Sequence, residues 1–133
     1  HILGLEQRVH FLGDVSEALL PALYRAADIF VLPAHVRAEA LGLAQIEAMA
    51  SGLPCISTKL GTGTTYANRH GITGLSVMPG DVATLAHAIN TLVADPMLRC
   101  RYGAAAMRRA RALFSSEAMV EAVAGVYREV LDK

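Results

Sequence analysis

The chain has 133 residues, enough for one domain with a buried hydrophobic core. Its hydrophobic fraction of 53% and mean hydropathy of +0.38 argue against disorder. Twelve basic residues balance twelve acidic ones, which argues against a general nucleic-acid binder with a basic surface. No apolar run reaches the roughly 18 residues that a membrane-spanning helix needs, and no signal-peptide pattern opens the chain.

The pattern of the first half predicts a strand at 8–12 ("RVHFL"), a helix at 17–27, a strand at 28–33 ("DIFVLP") and a helix at 41–51. Pro21 leaves the start of the first helix undefined. "DIFVLP" is the continuous apolar run of a strand that is covered on both faces. A loop at 34–40 precedes the second helix, which Gly52 ends.

The second half predicts strands at 54–58 and in the "GLSVMP" run at 74–79. Three helices follow, at 82–94, at 96–112 and after Ser115 or Ser116. Between the two strands lies a long loop rich in Gly, Thr and Asn. Asp81 can cap the first of these helices, and Pro96 suits the first turn of the next. The final helix is amphipathic, with an apolar stripe formed by Met119, Val123, Val126 and Val130.

This alternation predicts an α/β fold, a Rossmann-like open and mostly parallel sheet flanked by helices, with further helices at the C-terminus. In such sheets ligands bind outside the carboxyl ends of the strands. Three predicted loops leave those ends, "GDVS", "AHVRAEALG" and "KLGTGTT". We therefore expect the chemistry of the chain in these loops.

The segment "EALGLAQIEAMASG" places Glu39 before a predicted helix and Glu47 inside it. Gly42 lets the backbone approach a ligand, and the free N–H groups of Ala40 to Leu43 with the helix dipole suit an anion. Glu47 lies on an apolar face, where an unpaired carboxylate is costly, and vicinal sugar or ribose hydroxyls would be suitable partners. The opposite interpretation is that Glu39 is solvent-exposed and Glu47 touches an Arg. The spacing alone favours neither.

Other candidates are weaker. His35 and Arg37 could reach a phosphate or sugar, and "LGTGTT" offers glycines and threonines as a phosphate cradle, although it lacks the Lys of a P-loop. The run "RCRYGAAAMRRARA" is typical of a solvated helix face, with a membrane-surface role as a minor alternative. The two cysteines, Cys55 and Cys100, have no His or Cys at metal-ligand spacing nearby. We expect two reduced thiols and no metal site.

Three ordered segments resemble the C-terminal domain of retaining glycosyltransferases of the family-4, group 1, type. They are "RVHFLGDVSEALLPALYRAADIFVLPA", "RAEALGLAQIEAMASGLPCIST" and "GITGLSVMPGD". Members of this family have the GT-B fold, in which two Rossmann-like domains face a cleft. The loop "LGTGTTYANRHGITGL" further resembles bacterial members that move mannose or rhamnose during surface-polysaccharide assembly.

The resemblance implies a role for each matching position. Glu39 would contact hydroxyls of the donor sugar, and Glu47 would hold the ribose hydroxyls of the nucleotide. Gly13 and Val15 would lie against the base. The backbone that would face the sugar and the diphosphate is that of Ala40, Leu41, Gly42 and Leu43. The family usually has Gly-Phe-Gly after the first Glu, so the missing first Gly restricts φ here and leaves the donor sugar less determined than the reaction class.

The activity implied by the resemblance is transfer of a hexose, mannose- or rhamnose-like, from a nucleotide diphosphate sugar to a glycan or lipid-linked acceptor, with retained configuration. Backbone N–H groups, a helix N-terminus and cationic side chains would stabilise the leaving diphosphate, so no cofactor and no obligatory metal are expected. The expected location is the cytoplasm, at the inner face of the membrane if the protein associates with it peripherally.

Residues 1–133 would then form a partial C-terminal domain of a longer chain. The apolar start that runs into Gly4 resembles the end of a helix whose body is missing. The N-terminal acceptor domain and the first two strands of this domain would also be missing, which would leave the strand at 8–12 without neighbours. A sugar-nucleotide epimerase or phosphorylase of the same fold, or a non-catalytic nucleotide-binding module, remains an alternative that product analysis and nucleotide titration would separate.

Overall fold

The structure is a computed structural model that describes residues 3–132. Its strands are β1 Phe30–Leu32, β2 Cys55–Thr58 and β3 Gly74–Val77. Its helices are α1 Leu20–Ala26, α2 Leu43–Ala50, α3 Gly63–Ala67, α4 Val82–Ala94, α5 Pro96–Phe114 and α6 Ser116–Leu131.

The three strands form one parallel sheet in the order β1-β2-β3, with Phe30 opposite Cys55 and Cys55 opposite Gly74. β2 lies in the centre and all four of its residues are buried. Successive strand residues point to opposite faces, and Cys55 and Ile56 accordingly belong to two separate hydrophobic clusters. The predicted fold class, an open parallel α/β sheet flanked by helices with further helices at the C-terminus, is therefore confirmed.

The predicted strand over Arg8 to Leu12 is wrong. The backbone there forms a turn and then irregular structure, and it pairs with none of the strands that the structure describes. The Phe11 side chain is 95% exposed. A strand needs a partner for its backbone N–H and C=O groups, and an apolar pattern does not supply one.

The helices at the end of the chain follow local sequence signals. The Asp81 side chain accepts a hydrogen bond from the backbone N–H of Thr84, which starts α4 as predicted. Pro96 lies in the first turn of α5, and the Ser115 hydroxyl caps α6. The apolar stripe of α6 is exposed, however, since Val123 and Val126 have 51% and 62% of their surface accessible.

α3 lies inside the stretch for which the sequence predicts a loop, and the buried side chain of Asn68 fixes its end. Asn68 Nδ2 donates to the carbonyl of Cys55 in β2 at 3.2 Å, to the hydroxyl of Ser57 at 2.9 Å and to the carbonyl of Leu75 in β3 at 3.0 Å. Its Oδ1 accepts from the Thr73 hydroxyl at 2.8 Å. One amide group thus joins α3 to both strands.

Several expectations concern single residues. Gly4 has a φ of +60°, as a helix-ending glycine would, while His1 and Ile2 of the apolar start lie outside the described residues. Cys55 is buried, Cys100 is exposed and both are free thiols. No helix among residues 3–132 is long and apolar enough to cross a bilayer.

Replacing Asn68 by Ala should lower the free energy of unfolding by about 2–4 kcal/mol, because buried carbonyl and hydroxyl groups would lose their partner. Chemical denaturation followed by circular dichroism measures the difference. The matched control is Asn90→Ala, which removes the same amide from an exposed position of α4. Equal effects of the two substitutions would contradict a central role for Asn68.

Candidate functional site

The loops that follow β1 and β2 leave the carboxyl ends of two neighbouring parallel strands and lie against each other. We call residues 33–42 and 59–62 the paired loops. The Thr62 hydroxyl donates to the carbonyl of Glu39 at 2.9 Å. Arg37 Nη1 donates to the carbonyl of Leu60 at 3.1 Å, and the Thr58 hydroxyl donates to the carbonyl of Ala34. The two loops are thus braced by hydrogen bonds that cross between them.

The start of α3 is packed directly on the first of these loops. A Cβ placed on Gly63 would lie 2.8 Å from the carbonyl oxygen of Ala40 and 2.8 Å from the Leu41 side chain. Real Cβ atoms do not approach that closely, so only glycine fits without displacing the loop. Gln45 Nε2 in α2 also donates to the carbonyl of Thr64 at 3.1 Å. α3 is therefore packed against the first loop at its start and tied to α2 by a hydrogen bond.

Glu39 closes the turn that leads into α2. Gly42 precedes the helix in the left-handed region, with φ +75°, and its N–H donates to Glu39 Oε1 at 3.0 Å. A side chain at Gly42 would be strained in this conformation and would crowd Leu32. Glu39 is half-buried, and its other carboxylate oxygen has no partner among residues 3–132.

Three backbone N–H groups at this turn, those of Ala40, Leu41 and Leu43, have no partner in the described part of the chain. They lie at the N-terminus of α2, where the helix dipole favours negative charge. No described residue other than glycine has a positive φ, so Ala40 stands in place of the family's first Gly without backbone strain. The turn can therefore hold an anion through its backbone.

Glu47 has a hydrogen-bond partner, Tyr24, that the sequence pattern does not reveal. Glu47 is exposed rather than buried, which corrects the expectation of an apolar face, and the Tyr24 hydroxyl in α1 donates to its Oε2 at 3.0 Å. Both residues line a cavity of about 390 Å³ between α1 and α2. Burial raises the pKa of Tyr24 to about 12, with the hydrogen bond and negative charge of Glu47 as further causes.

The structure does not bring all the predicted site residues together. Glu39 belongs to the turn before α2, while Glu47 faces α1 and binds Tyr24. Gly13 and Val15 do not line the cavity beside Glu47. A Cβ on Gly13 would meet no atom within 4 Å, which leaves open space beside the backbone there. Their proposed contact with a base stays a prediction.

The threonines of "LGTGTT" are used within the protein. The hydroxyls of Thr62 and Thr64 lie 3.0 Å apart, and the hydroxyl of Thr65 accepts a hydrogen bond from the N–H of Gly61. The loop is therefore a brace for its neighbour rather than a cradle of free hydroxyls. His70 is structural, since its Nδ1 accepts from the N–H of Ser76 at 3.0 Å. Within residues 3–132 no group of three or more His, Cys, Asp or Glu side chains could hold a metal ion.

The sequence of the chain matches a known protein family. The family model described as "Glycosyl transferases group 1" matches residues 1–109. The chain is 40% identical over 114 residues to a D-rhamnosyltransferase of Pseudomonas aeruginosa, covering 86% of this chain and 30% of that protein. It is 30% identical over 124 residues to an O-antigen chain mannosyltransferase of Escherichia coli, covering 93% of this chain and 33% of that protein.

Among solved structures, the chain is similar to HepE of Anabaena in complex with UDP. The TM-score is 0.88 at 29% sequence identity, over 96% of this chain and 34% of that one. HepE has also been solved in complex with UDP-glucose. The chain thus spans about a third of the length of the proteins it matches.

The Tyr24 hydroxyl should ionise at a pH near 12, because burial and the Glu47 carboxylate raise its pKa. Because this folded-state pKa lies above the ordinary value of 10, the stability contributed by neutral Tyr24 is complete below pH 10 and is lost as the pH rises through about 12. Ultraviolet absorbance of tyrosinate follows the ionisation. Tyr24→Phe should remove the transition near pH 12 and Glu47→Gln should move it to lower pH, whereas the control Tyr127→Phe should leave it in place. A transition near pH 12 that survives Tyr24→Phe would contradict this assignment.

Proposed function

The chain belongs to the group 1 glycosyltransferases, and on this premise we propose that it is the donor-binding part of a longer enzyme. That enzyme transfers a hexose from a nucleotide diphosphate sugar to an acceptor hydroxyl, with retained anomeric configuration. The observation that carries the proposal is the braced turn at the N-terminus of α2. There, backbone N–H groups with no partner among residues 3–132 lie beside a half-buried carboxylate.

The turn before α2 suits the diphosphate of the donor. The N–H groups of Ala40, Leu41 and Leu43 can donate to phosphate oxygens, and the helix dipole adds to the attraction. Negative charge grows on the diphosphate as the sugar leaves, so donors fixed in advance stabilise the transition state more than the bound substrate. This role requires no metal ion and no cofactor beyond the donor itself.

Glu39 suits the hydroxyls of the donor sugar. Its Oε1 is engaged by the N–H of Gly42, which orients the carboxylate, and the other oxygen has no partner among the described residues. A carboxylate held in this way accepts a hydrogen bond from a sugar hydroxyl without rearranging the loop. We therefore assign Glu39 to sugar binding and not to covalent catalysis.

Glu47 and Tyr24 suit the nucleoside. The hydrogen bond from Tyr24 fixes one carboxylate oxygen of Glu47 at the edge of the cavity between α1 and α2. Ribose hydroxyls can then donate to the remaining oxygen lone pairs. Gly13 and Val15, which precede α1 in the chain, are proposed to contact the base.

The similar proteins suggest the sugar and the acceptor. A D-rhamnosyltransferase and an O-antigen mannosyltransferase are among the relatives, and a structural neighbour binds UDP and UDP-glucose. We infer a mannose- or rhamnose-like donor and a glycan or lipid-linked acceptor. The acceptor would be held by an N-terminal domain outside these residues, with residues 1–133 forming part of the C-terminal domain. The reaction would take place in the cytoplasm, at the inner face of the membrane.

Glu47→Ala in the full-length protein should weaken donor binding by about 1–3 kcal/mol, since a charged hydrogen-bond partner is lost. Calorimetric titration with UDP-glucose and with GDP-mannose measures this loss, which should appear for whichever nucleotide sugar binds. Glu129→Ala is the matched control, because it removes an exposed carboxylate from α6. Unchanged donor affinity after Glu47→Ala would contradict the ribose role.

The 133 residues alone should show no sugar transfer, because the proposal places the acceptor site in a different domain. Chromatography of reactions with radiolabelled nucleotide sugar distinguishes transfer from hydrolysis and from interconversion of free sugar nucleotides. Transfer by the full-length protein together with inactivity of the 133 residues is the expected result. Detectable transfer by the 133 residues would show that the division into donor and acceptor parts is wrong.

A further inference from the structure

A second polar surface lies at the other end of the strands from the paired loops, where β3 begins. It is a groove of about 510 Å³ between α5 and the turn at residues 69–73, which precedes β3. We call it the basic groove, because three of its lining residues are arginines, Arg69, Arg108 and Arg109. None of its lining residues carries a negative charge.

The positive charge of the groove is not compensated locally. Among residues 3–132 the guanidinium groups of Arg69 and Arg108 have no hydrogen-bond or ion-pair partner, and both side chains are exposed. The segment 59–114 contains seven Lys and Arg residues and no acid except Asp81 and Asp95. Both aspartates are occupied as helix caps. The neutral net charge of the chain therefore conceals a basic region.

Arg109 is fixed in place in the wall of the groove. Its Nε donates to the carbonyl of Ala67 at 3.0 Å, and its Nη2 donates to the carbonyl of Tyr66 at 2.7 Å. Its guanidinium also lies over the Tyr66 ring, 5.1 Å from the centroid. Less side-chain freedom is therefore lost when an anion binds beside it.

We propose that the basic groove binds the phosphate headgroups of anionic phospholipids and seats this edge of the protein on a membrane surface. Guanidinium groups bind phosphate oxygens through paired hydrogen bonds. Two apolar side chains of the lining, Ile72 and Leu113, have 54% and 43% of their surface exposed and can contact acyl chains. A small soluble phosphate ester has no acyl chain to contact these apolar side chains. The combination of arginines with exposed apolar side chains therefore favours a lipid.

The position of the groove is compatible with the function proposed above and does not depend on it. α3 starts against the paired loops at Gly63 and ends near the groove at Ala67, whose carbonyl accepts from Arg109. A membrane bound at the groove would leave the carboxyl ends of the strands open. The α6 surface is a poorer candidate for this membrane, since Glu117, Glu121 and Glu129 outnumber its one arginine.

Co-sedimentation of the 133-residue chain with vesicles tests the proposal. The chain should bind vesicles of equal parts phosphatidylglycerol and phosphatidylcholine and should not bind vesicles of phosphatidylcholine alone. Binding should weaken as salt is raised, because the attraction is electrostatic. The double substitution Arg69→Gln with Arg108→Gln should weaken it about 25-fold, since each arginine near an anionic surface contributes about fivefold.

The matched control is the double substitution Arg101→Gln with Arg111→Gln, which removes the same charge from α5 outside the groove. Retained binding by this variant supports the groove. Equal weakening of both variants would show a diffuse charge effect and overturn it, as would salt-independent binding by the unsubstituted chain. Circular dichroism verifies that both variants are folded.

Titration with glycerol 1-phosphate, followed by the NMR signals of the arginine side chains, separates a lipid from a soluble ligand. No saturable shift in the absence of vesicles supports the membrane assignment. Saturable binding of glycerol 1-phosphate at Arg69 and Arg108 would assign the groove to a soluble phosphate ester and overturn the proposal.

Discussion

The buried amide of Asn68 holds the end of α3 between β2 and β3, and Arg109 holds the carbonyl groups of Tyr66 and Ala67 from the α5 side. Because the end of this short helix is held in place, its start is held as well. There, Gly63 packs against the carbonyl of Ala40. These contacts set the geometry of the paired loops. An interaction in the core thus sets the position of backbone N–H groups at the surface, which is how a rigid sheet orients a loop for binding.

The same arrangement gives Glu39 two tasks. Its carboxylate supports the left-handed Gly42 turn, and its second oxygen, which has no partner among residues 3–132, is proposed to bind the donor sugar. Removing the side chain would disturb the turn together with the proposed sugar contact. Glu47 is simpler, because its partner Tyr24 belongs to another helix and the α2 backbone does not depend on it. Substitutions at Glu47 therefore report more directly on ligand binding than those at Glu39.

The sequence predicted those parts of the structure whose causes are local. The Asp81 cap, Pro96 and Ser115 mark the beginnings of the last three helices, and each signal lies within a few residues of its effect. The run at 8–12 has an apolar strand pattern, but strand formation depends on a neighbour that the pattern cannot reveal. The bond of Glu47 with Tyr24 joins residues 23 positions apart, and only the packing of α1 on α2 creates it. The assignment of Glu39 and Glu47 to a donor site stays a prediction from the family motif, whereas the hydrogen bonds that brace the loops are visible only in the fold.

The sheet is open at both sides, because β1 and β3 each pair with β2 alone among the described strands. Edge strands expose backbone N–H and C=O groups that can bind an extended segment of another molecule. β1 has only three residues, which limits the length of such pairing. At high protein concentration these open edges are nevertheless expected to favour self-association of the chain. A fused strand that pairs with β1 is a rational way to keep the domain monodisperse for crystallisation.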